Sequence, residues 1–262
     1  MIDIHSHVLP YLDDGAQSIE ESLEIVQIYK ENGFTGVIAT PHHYYGKYLP
    51  SKEEIIESHK LLTTELKKND DKFNIYLGNE NFLDENTIPD LKSKNIFTMG
   101  GSRYVLVEIP LNNKNNFAKE IIFNIQMLGY LPILAHVERY KITKDDFNFI
   151  EELYKAGVLI QINLSSLKNE GSSYFEMTNK LLERKMVQFV GTDTHSKETR
   201  NPDVSEQLYY LKDKMGDDWY NEVVIQNPYK MLKNQLIKKE VIEIENKRSR
   251  KSSFLSKLFK RD

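Results

Sequence analysis

Up to Gly191 the chain repeats one pattern: a short apolar run rich in β-favouring residues, then a longer segment with helical spacing. The runs are Ile2–His5, Gly36–Thr40, Asn74–Gly78, Tyr104–Ile109, Leu131–Ala135, Val158–Ile162 and Val187–Gly191. They are nearly continuously apolar rather than alternating, which is how strands read when a parallel sheet is covered on both faces. Between them, helices are expected over 18–32, 53–68, 116–128, 145–156 and 173–185. In the first, Ile19, Leu23, Val26 and Tyr29 share a face, Ser18 suits the N-cap and Gly33 the stop. Repeated β-α units predict an α/β fold, either a barrel or a doubly wound sheet.

No Gly/Ser linker, repeat or compositional break interrupts this pattern, so residues 1–246 read as one domain. The segment 247–262, KRSRKSSFLSKLFKRD, is different: seven of its residues are basic and one is acidic. The whole chain carries 35 Lys+Arg against 39 Asp+Glu, so removing that segment leaves 28 − 38 = −10 for the rest. Phe254, Leu255, Leu258 and Phe259 would share one face of a short helix among lysines. Two readings stand level: a solvated end, or an anchor for anionic lipid or an acidic partner.

Composition narrows the chemistry. With 40% apolar and 28% charged residues, the chain has the balance of a globular protein. A net charge of −4 gives no basic footprint, so no nucleic-acid partner is expected. The absence of cysteine excludes disulfides, thiolate zinc sites and thiolate nucleophiles. The N-terminus does not read as a signal peptide, and no apolar run approaches the ~20 residues that span a bilayer, so a cytoplasmic location is the expectation.

Polar residues gather where the strands end. The runs lead in turn to His5 and His7, His42, Glu80, Glu108, His136, Asn163, and Asp193 with His195. In a parallel barrel these ends converge on one face, where active sites lie. Imidazole and carboxylate together suit zinc, manganese or iron. The i, i+2 spacing of His5–His7 and of Asp193–His195 lets each pair point to one side. A bridging carboxylate such as Glu80 would join two ions roughly 3.5–4 Å apart. Five of the seven histidines fall at these ends. His59, in a polar helix, reads as an ordinary structural histidine, and His43 is ambiguous beside His42.

Several of these segments carry a resemblance. The opening IDIHSH, LDDGAQS at Leu12–Ser18, ATPHH at Ala39–His43, Gly78-Asn79-Glu80, YVLVE at Tyr104–Glu108, AHVERY at Ala135–Tyr140 and GTDTH at Gly191–His195 resemble the PHP (polymerase and histidinol phosphatase) superfamily. Within it they are most similar to the bacterial CpsB/YwqE-type tyrosine phosphatases, from residue 1 to about 236. The resemblance implies a distorted (β/α)7 TIM-like barrel, the PHP fold, with three divalent metal ions, manganese first and iron or zinc next. It assigns His5, His7, Glu80 and Asp193 to the first ion, and Glu80, Glu108 and His136 to the second. The third takes His42, His195 and an acid from Asp13–Asp14, with Asp14 preferred. Arg139 and Arg200 are implied as phosphate-binding arginines, the alignment of Arg200 resting on one nearby Asn-Pro.

The implied reaction is hydrolysis of phosphotyrosine by a metal-activated water, with no phosphoenzyme. The implied substrate is the phosphorylated tail of a bacterial tyrosine autokinase that controls capsule or exopolysaccharide synthesis at the inner face of the membrane. Tyr44, Tyr45 and Tyr48 would either line the mouth or serve as packing. A salt bridge to Glu138 is the plainer role for Arg139. Three other functions compete. A small-molecule phosphatase, such as one acting on histidinol phosphate, would favour a closed pocket. An amidohydrolase or nuclease would want a strand-end lysine or a basic channel. A metal-free binding module would require ligand losses that the sequence does not show.

Overall fold

The computed structural model describes residues 1–68, 71–110, 116–140 and 144–239. The basic segment 247–262, and with it the boundary at 246, lies outside them. The strands are β1 (Ile2–Ser6), β2 (Gly36–Ala39), β3 (His42–His43), β4 (Asn74–Leu77), β5 (Glu80–Phe82), β6 (Tyr104–Glu108), β7 (Leu131–Leu134), β8 (Leu159–Asn163) and β9 (Phe189–Gly191). Every pairing is parallel. β3 continues the line of β2, and β5 that of β4, because the pairs β2–β4 and β3–β5 follow each other along the same two segments. The nine strands thus make seven staves, one for each run seen in the sequence. Pro41, which has no N–H to give the ladder, lies at the break between β2 and β3.

The last stave returns to the first. Asp193 N–H donates to His5 O and His7 N–H to Thr194 O, each at 2.8 Å, and Ser6 bridges Thr194. The result is the distorted (β/α)7 barrel expected above. Outside it run α1 (Ile19–Glu31), α2 (Lys52–Lys68), α3 (Thr87–Ser93), α4 (Asn116–Met127), α5 (Lys144–Lys155) and α6 (Ser173–Glu183). Ser18 caps α1 by accepting from Glu21 N–H, as its sequence position suggested. Beyond the predicted elements come α7 (Ser205–Met215), α8 (Asp217–Tyr220) and α9 (Asn227–Leu232).

Alternation along the strands, hidden in the sequence because both faces are buried, sorts the core into two. Val37, Val105, Val107, Leu134, Ile160, Ile162 and Val190 join the large cluster under the helices. Ile4, Ile38, Tyr104, Leu106, Ile133, Leu159 and Phe189 fill the barrel interior with Met231 of α9. Climbing each strand on that inner register, apolar gives way to polar: Tyr104, Leu106, Glu108; Leu159, Gln161, Asn163; Phe189, Gly191, Asp193. The packed floor therefore lifts the chemistry to the C-terminal mouth. In β1 the register slips between Asp3 and Ser6. Ile2 and Ile4 stay inside, whereas buried Asp3 accepts from Tyr29 Oη of α1 at 2.6 Å.

Candidate metal centre

The strand-end residues meet at this mouth. His5 Nε2 and His7 Nε2 each lie 3.3 Å from Glu80 Oε2 and 3.5 Å from Asp193 Oδ1. All four side chains are buried, and these four residues form one group able to hold an ion. The spacing has a simple meaning. Donor atoms about 2.1 Å from a tetrahedral ion lie about 3.4 Å from one another. Among the described residues, His5 Nε2, His7 Nε2, His195 Nε2 and Asp193 Oδ1 are buried without a hydrogen-bond partner. Buried polar atoms are normally paired, so four orphans converging in one cluster fit a group of divalent ions.

A second group joins His7, Asp14, His42 and His195. Asp14 Oδ1 is 3.2 Å from His42 Nε2 and 3.5 Å from His195 Nε2. A third joins His42, Glu80 and Glu108, with His42 Nδ1 3.0 Å from Glu80 Oε2. His136 Nε2 is 2.7 Å from Glu80 Oε1 and 4.0 Å from Glu108 Oε1. The structure thus brings together all nine residues named from the sequence, and it differs in detail. His7 faces two groups, and the group that holds Glu80 and Glu108 takes in His42, with His136 beside it at 4.0 Å from Glu108.

Adjacent Asp13 and Asp14 turn opposite ways. Asp13 Oδ2 accepts from His7 Nδ1 at 2.7 Å and from His42 N–H at 2.8 Å, while its Oδ1 takes Gly15 N–H at 2.9 Å. The turn requires glycine at 15, because a Cβ there would overlap the carbonyl oxygen and Cβ of His7. With Nδ1 bound to a carboxylate, His7 presents Nε2 to the cluster. His195 does the same by donating Nδ1–H to Asp193 O at 3.0 Å. Partners of this kind fix the tautomer and aim of a ligating imidazole. His136, Asp193 and Arg200 have positive φ of 32°, 54° and 51°. Such backbone is costly for these residue types and tends to gather at working sites.

The two arginines converge from separate loops on one atom. Arg139 Nη1 and Arg200 Nη2 donate to Asp193 Oδ2 at 2.6 and 2.5 Å, and Asn163 Nδ2 donates there at 2.8 Å. The plainer role for Arg139 does not describe its contacts. Glu138 is buried and accepts from Ser166 Oγ and Asn163 N–H instead. Arg139 and Arg200 remain 28% and 38% exposed, Asp14 37% and Glu108 25%, so the cluster opens to solvent along this rim.

Charge balances charge throughout. Burial works against ionisation of Glu80, but His5, His42 and His136 hold its carboxyl well below the usual range. Asp193, equally buried, is held low by His5, His7 and the two arginines. Burial pulls His42 down, but Glu80 and Asp14 raise it to about 9. Burial also opposes the charged form of His7, and Asp13 overcomes it, pushing the imidazole well up. Burial and repulsion from Glu80 raise Glu108, while burial and His7 lower His195.

Other residues take simpler roles. His59 Nε2 meets Ile75 O at 3.0 Å, a structural contact as expected. His43 turns away to Asp90, at 2.9 Å, and Tyr45 Oη donates to the same carboxylate. Tyr44 stacks on Phe82 and Tyr48 on the His42 ring. Sequence reasoning offers Asp13 only as the alternative to Asp14 for an ion, gives no role to Gln161 and none beyond a strand end to Asn163. The signal for the last two was an amide pair at i, i+2 inside an otherwise apolar strand, since a buried amide needs partners.

A family model described as capsular polysaccharide synthesis, CpsB/CapC, matches residues 1–233. CapC of Staphylococcus aureus is 32% identical over 248 residues, covering 92% of this chain and 94% of that protein. The tyrosine-protein phosphatase YwqE of Bacillus subtilis is 30% identical over 238 residues, covering 90% of this chain and 93% of its own. A solved structure from the pair YwqE of B. subtilis and CpsB of Streptococcus pneumoniae, metal-dependent tyrosine phosphatases, has a TM-score of 0.86 to this chain. Its identity is 29%, with 92% of this chain and 97% of that one covered.

Proposed function

The chain belongs to the capsular polysaccharide synthesis CpsB/CapC family, and from that premise we propose that it is a metal-dependent protein-tyrosine phosphatase. The observation that carries the reading is the cluster of orphaned imidazole and carboxylate atoms beneath two arginines. On this reading His5, His7, Asp14, His42, Glu80, Glu108, His136, Asp193 and His195 hold three divalent ions, manganese first. Such ions, when bound, lower the pKa of water to give a nucleophile at neutral pH and neutralise phosphate charge.

The chain's own residues do the rest. Arg139 and Arg200, half-exposed at the rim, bind the equatorial phosphoryl oxygens where charge builds up. Asp193 Oδ2, their partner here, positions both before substrate arrives. Asp13 and the backbone carbonyl of Asp193 keep His7 and His195 aimed. The phenol leaving group, with a pKa near 10, departs as a moderately stable anion.

An open mouth supports a protein substrate over histidinol phosphate. Next to the cluster runs a groove of about 560 Å³ between the Pro10–Leu12 and Lys47–Pro50 loops and α2. Tyr48 forms one wall and stacks on His42 at 5.6 Å. It offers apolar and aromatic surface to residues flanking a phosphotyrosine. The family context points to a tyrosine autokinase of capsule or exopolysaccharide synthesis, met in the cytoplasm at the inner membrane face, with the basic segment 247–262 helping to hold the enzyme there. Among the described residues no helix is long and apolar enough to cross a membrane.

The test is parallel hydrolysis of a phosphotyrosine peptide and histidinol phosphate by manganese-loaded protein. The expected result is a higher kcat/KM on the peptide. Preference for histidinol phosphate would overturn the substrate class, and hydrolysis of neither would overturn the reading.

A further inference from the structure

We propose that Gln161 is a positioning residue. It sets which nitrogen of His5 faces the cluster and, through Asn163, which oxygen of Asp193 does. The inference rests on the metal-binding reading of the site.

Gln161 sits on the inner register of β8, fully buried, between the apolar floor at Leu159 and the mouth at Asn163. A side-chain amide can be turned either way, but two backbone groups settle this one. Its Nε2 lies 2.8 Å from Ile162 O, which can only accept, and its Oε1 lies 2.8 Å from His136 N–H, which can only donate. The carbonyl end therefore faces His5 Nδ1, at 3.3 Å. A carbonyl oxygen accepts and does not donate, so His5 carries its proton on Nδ1 and turns the Nε2 lone pair to the cluster. Nε2 is the atom orphaned between Glu80 and Asp193.

The other end of the amide orders Asp193. Gln161 Nε2 donates to Asn163 Oδ1 at 2.7 Å, which leaves Asn163 Nδ2 to donate to Asp193 Oδ2 at 2.8 Å. With that oxygen also taken by Arg139 and Arg200, Oδ1 is the one left for the cluster, and it is the orphaned one. The approach is tight. A Cβ at Gly191 would come within 2.9 Å of His5 Cβ and 3.0 Å of Gln161 Nε2, so the facing strand carries glycine. His7 draws its orientation from Asp13 and His195 from a backbone carbonyl. His5 draws it from a neutral amide held in one sense by the barrel backbone.

The test is manganese binding by calorimetry to metal-stripped full-length protein, with melting curves of the same metal-free samples. Gln161→Met removes both ends of the relay and should weaken the tightest site about 10- to 100-fold. Gln161→Glu keeps an acceptor toward His5 and His136 N–H but sets two acceptors against each other at Asn163, so its loss should be intermediate. Asn163→Ala, which cuts only the Asp193 arm, should also fall between. Gln188→Leu removes another buried amide, just before β9, which pairs with Ile160 N–H and Tyr154 Oη. It should lower the melting temperature and leave affinity within about twofold. Wild-type affinity in Gln161→Met would overturn the positioning role, as would a loss in Gln161→Glu as deep as in Gln161→Met. If Gln161→Met does not fold, Gln161→Glu and Asn163→Ala decide the matter by the same readings. Failure of the wild type to bind manganese or zinc would overturn the metal reading itself, a result distinct from any of these.

Discussion

Arg139 and Arg200 should act as one phosphate clamp, and their removal gives a sharp kinetic signature. Both guanidinium groups lie at the rim and end on Asp193 Oδ2, 2.6 and 2.5 Å away, so both are aimed at the same place. A hydrogen bond to a charged group is worth about 1.5–3 kcal/mol. At about 1.4 kcal/mol per decade, losing one from the transition state costs about 10- to 150-fold in rate. Arg139→Ala and Arg200→Ala should each lower kcat/KM on a phosphotyrosine peptide by that much. The double variant should lose less than the product of the two, because both arginines bind one phosphoryl group. Neither residue belongs to a candidate metal group, so the rate loss should persist at saturating manganese. The assay is phosphate release at saturating manganese, with kcat and KM resolved. Rates within twofold of wild type for both variants would refute the clamp. A rate loss that vanished on adding more manganese would assign the arginines to metal retention instead.

Further outcomes follow from the same geometry. Asp13→Ala takes away the carboxylate that holds His7 Nδ1 and His42 N–H. It should weaken manganese binding about 10- to 100-fold by calorimetry, and unchanged affinity would remove Asp13 from the account. Tyr29→Phe deletes the hydroxyl that donates to buried Asp3 at 2.6 Å beneath the site. It should cost about 1–3 kcal/mol in denaturant unfolding, and a neutral result would show the pairing to be dispensable. The metal-free protein should also lose stability in alkali. His42 is raised to about 9, above its unfolded value near 6.5. Its contribution is therefore fully present below about pH 6.5 and is lost as pH rises through 9. The ceiling is about 3 kcal/mol. His7 and His136 are raised too and act in the same sense. Melting temperature should fall from pH 6.5 to 9 without metal and not fall with it, since ions bind the deprotonated rings. A rise in the metal-free protein would contradict the charge balance drawn for the cluster.

Much of this is legible in the sequence itself. Each of the seven apolar runs became a stave, because burial on both faces makes a parallel strand stand out from its helical surroundings. The helices over 205–232 do not stand out in the sequence pattern. They do not cover a strand in βα rhythm, and Met231 is held by the barrel floor rather than by a local pattern. The break at Pro41 was visible as a residue but not as a register, so His42 appeared to follow a strand when it begins β3.

Ligand types at strand ends could be read because a barrel makes them converge whatever their distance in sequence. Their orientation could not. Asp13 and Asp14 are chemically identical neighbours, and only the turn at Gly15 sends one behind His7 and the other toward His42 and His195. Gln161 looks in sequence like an interruption of an apolar run. Its meaning comes from a strand-end backbone N–H, at His136, and from an imidazole on β1, contacts that exist only once the barrel closes.

The central claim is that these imidazoles and carboxylates hold ions without which phosphotyrosine is not hydrolysed. The most direct measurement is titration of manganese into chelator-stripped protein, following phosphate release from a phosphotyrosine peptide and bound metal by elemental analysis on the same samples. The account predicts negligible release from stripped protein and recovery in step with ions bound, both lost in a Glu80→Gln variant. Full release from protein shown to hold no metal would contradict it, as would metal uptake that leaves the rate unmoved.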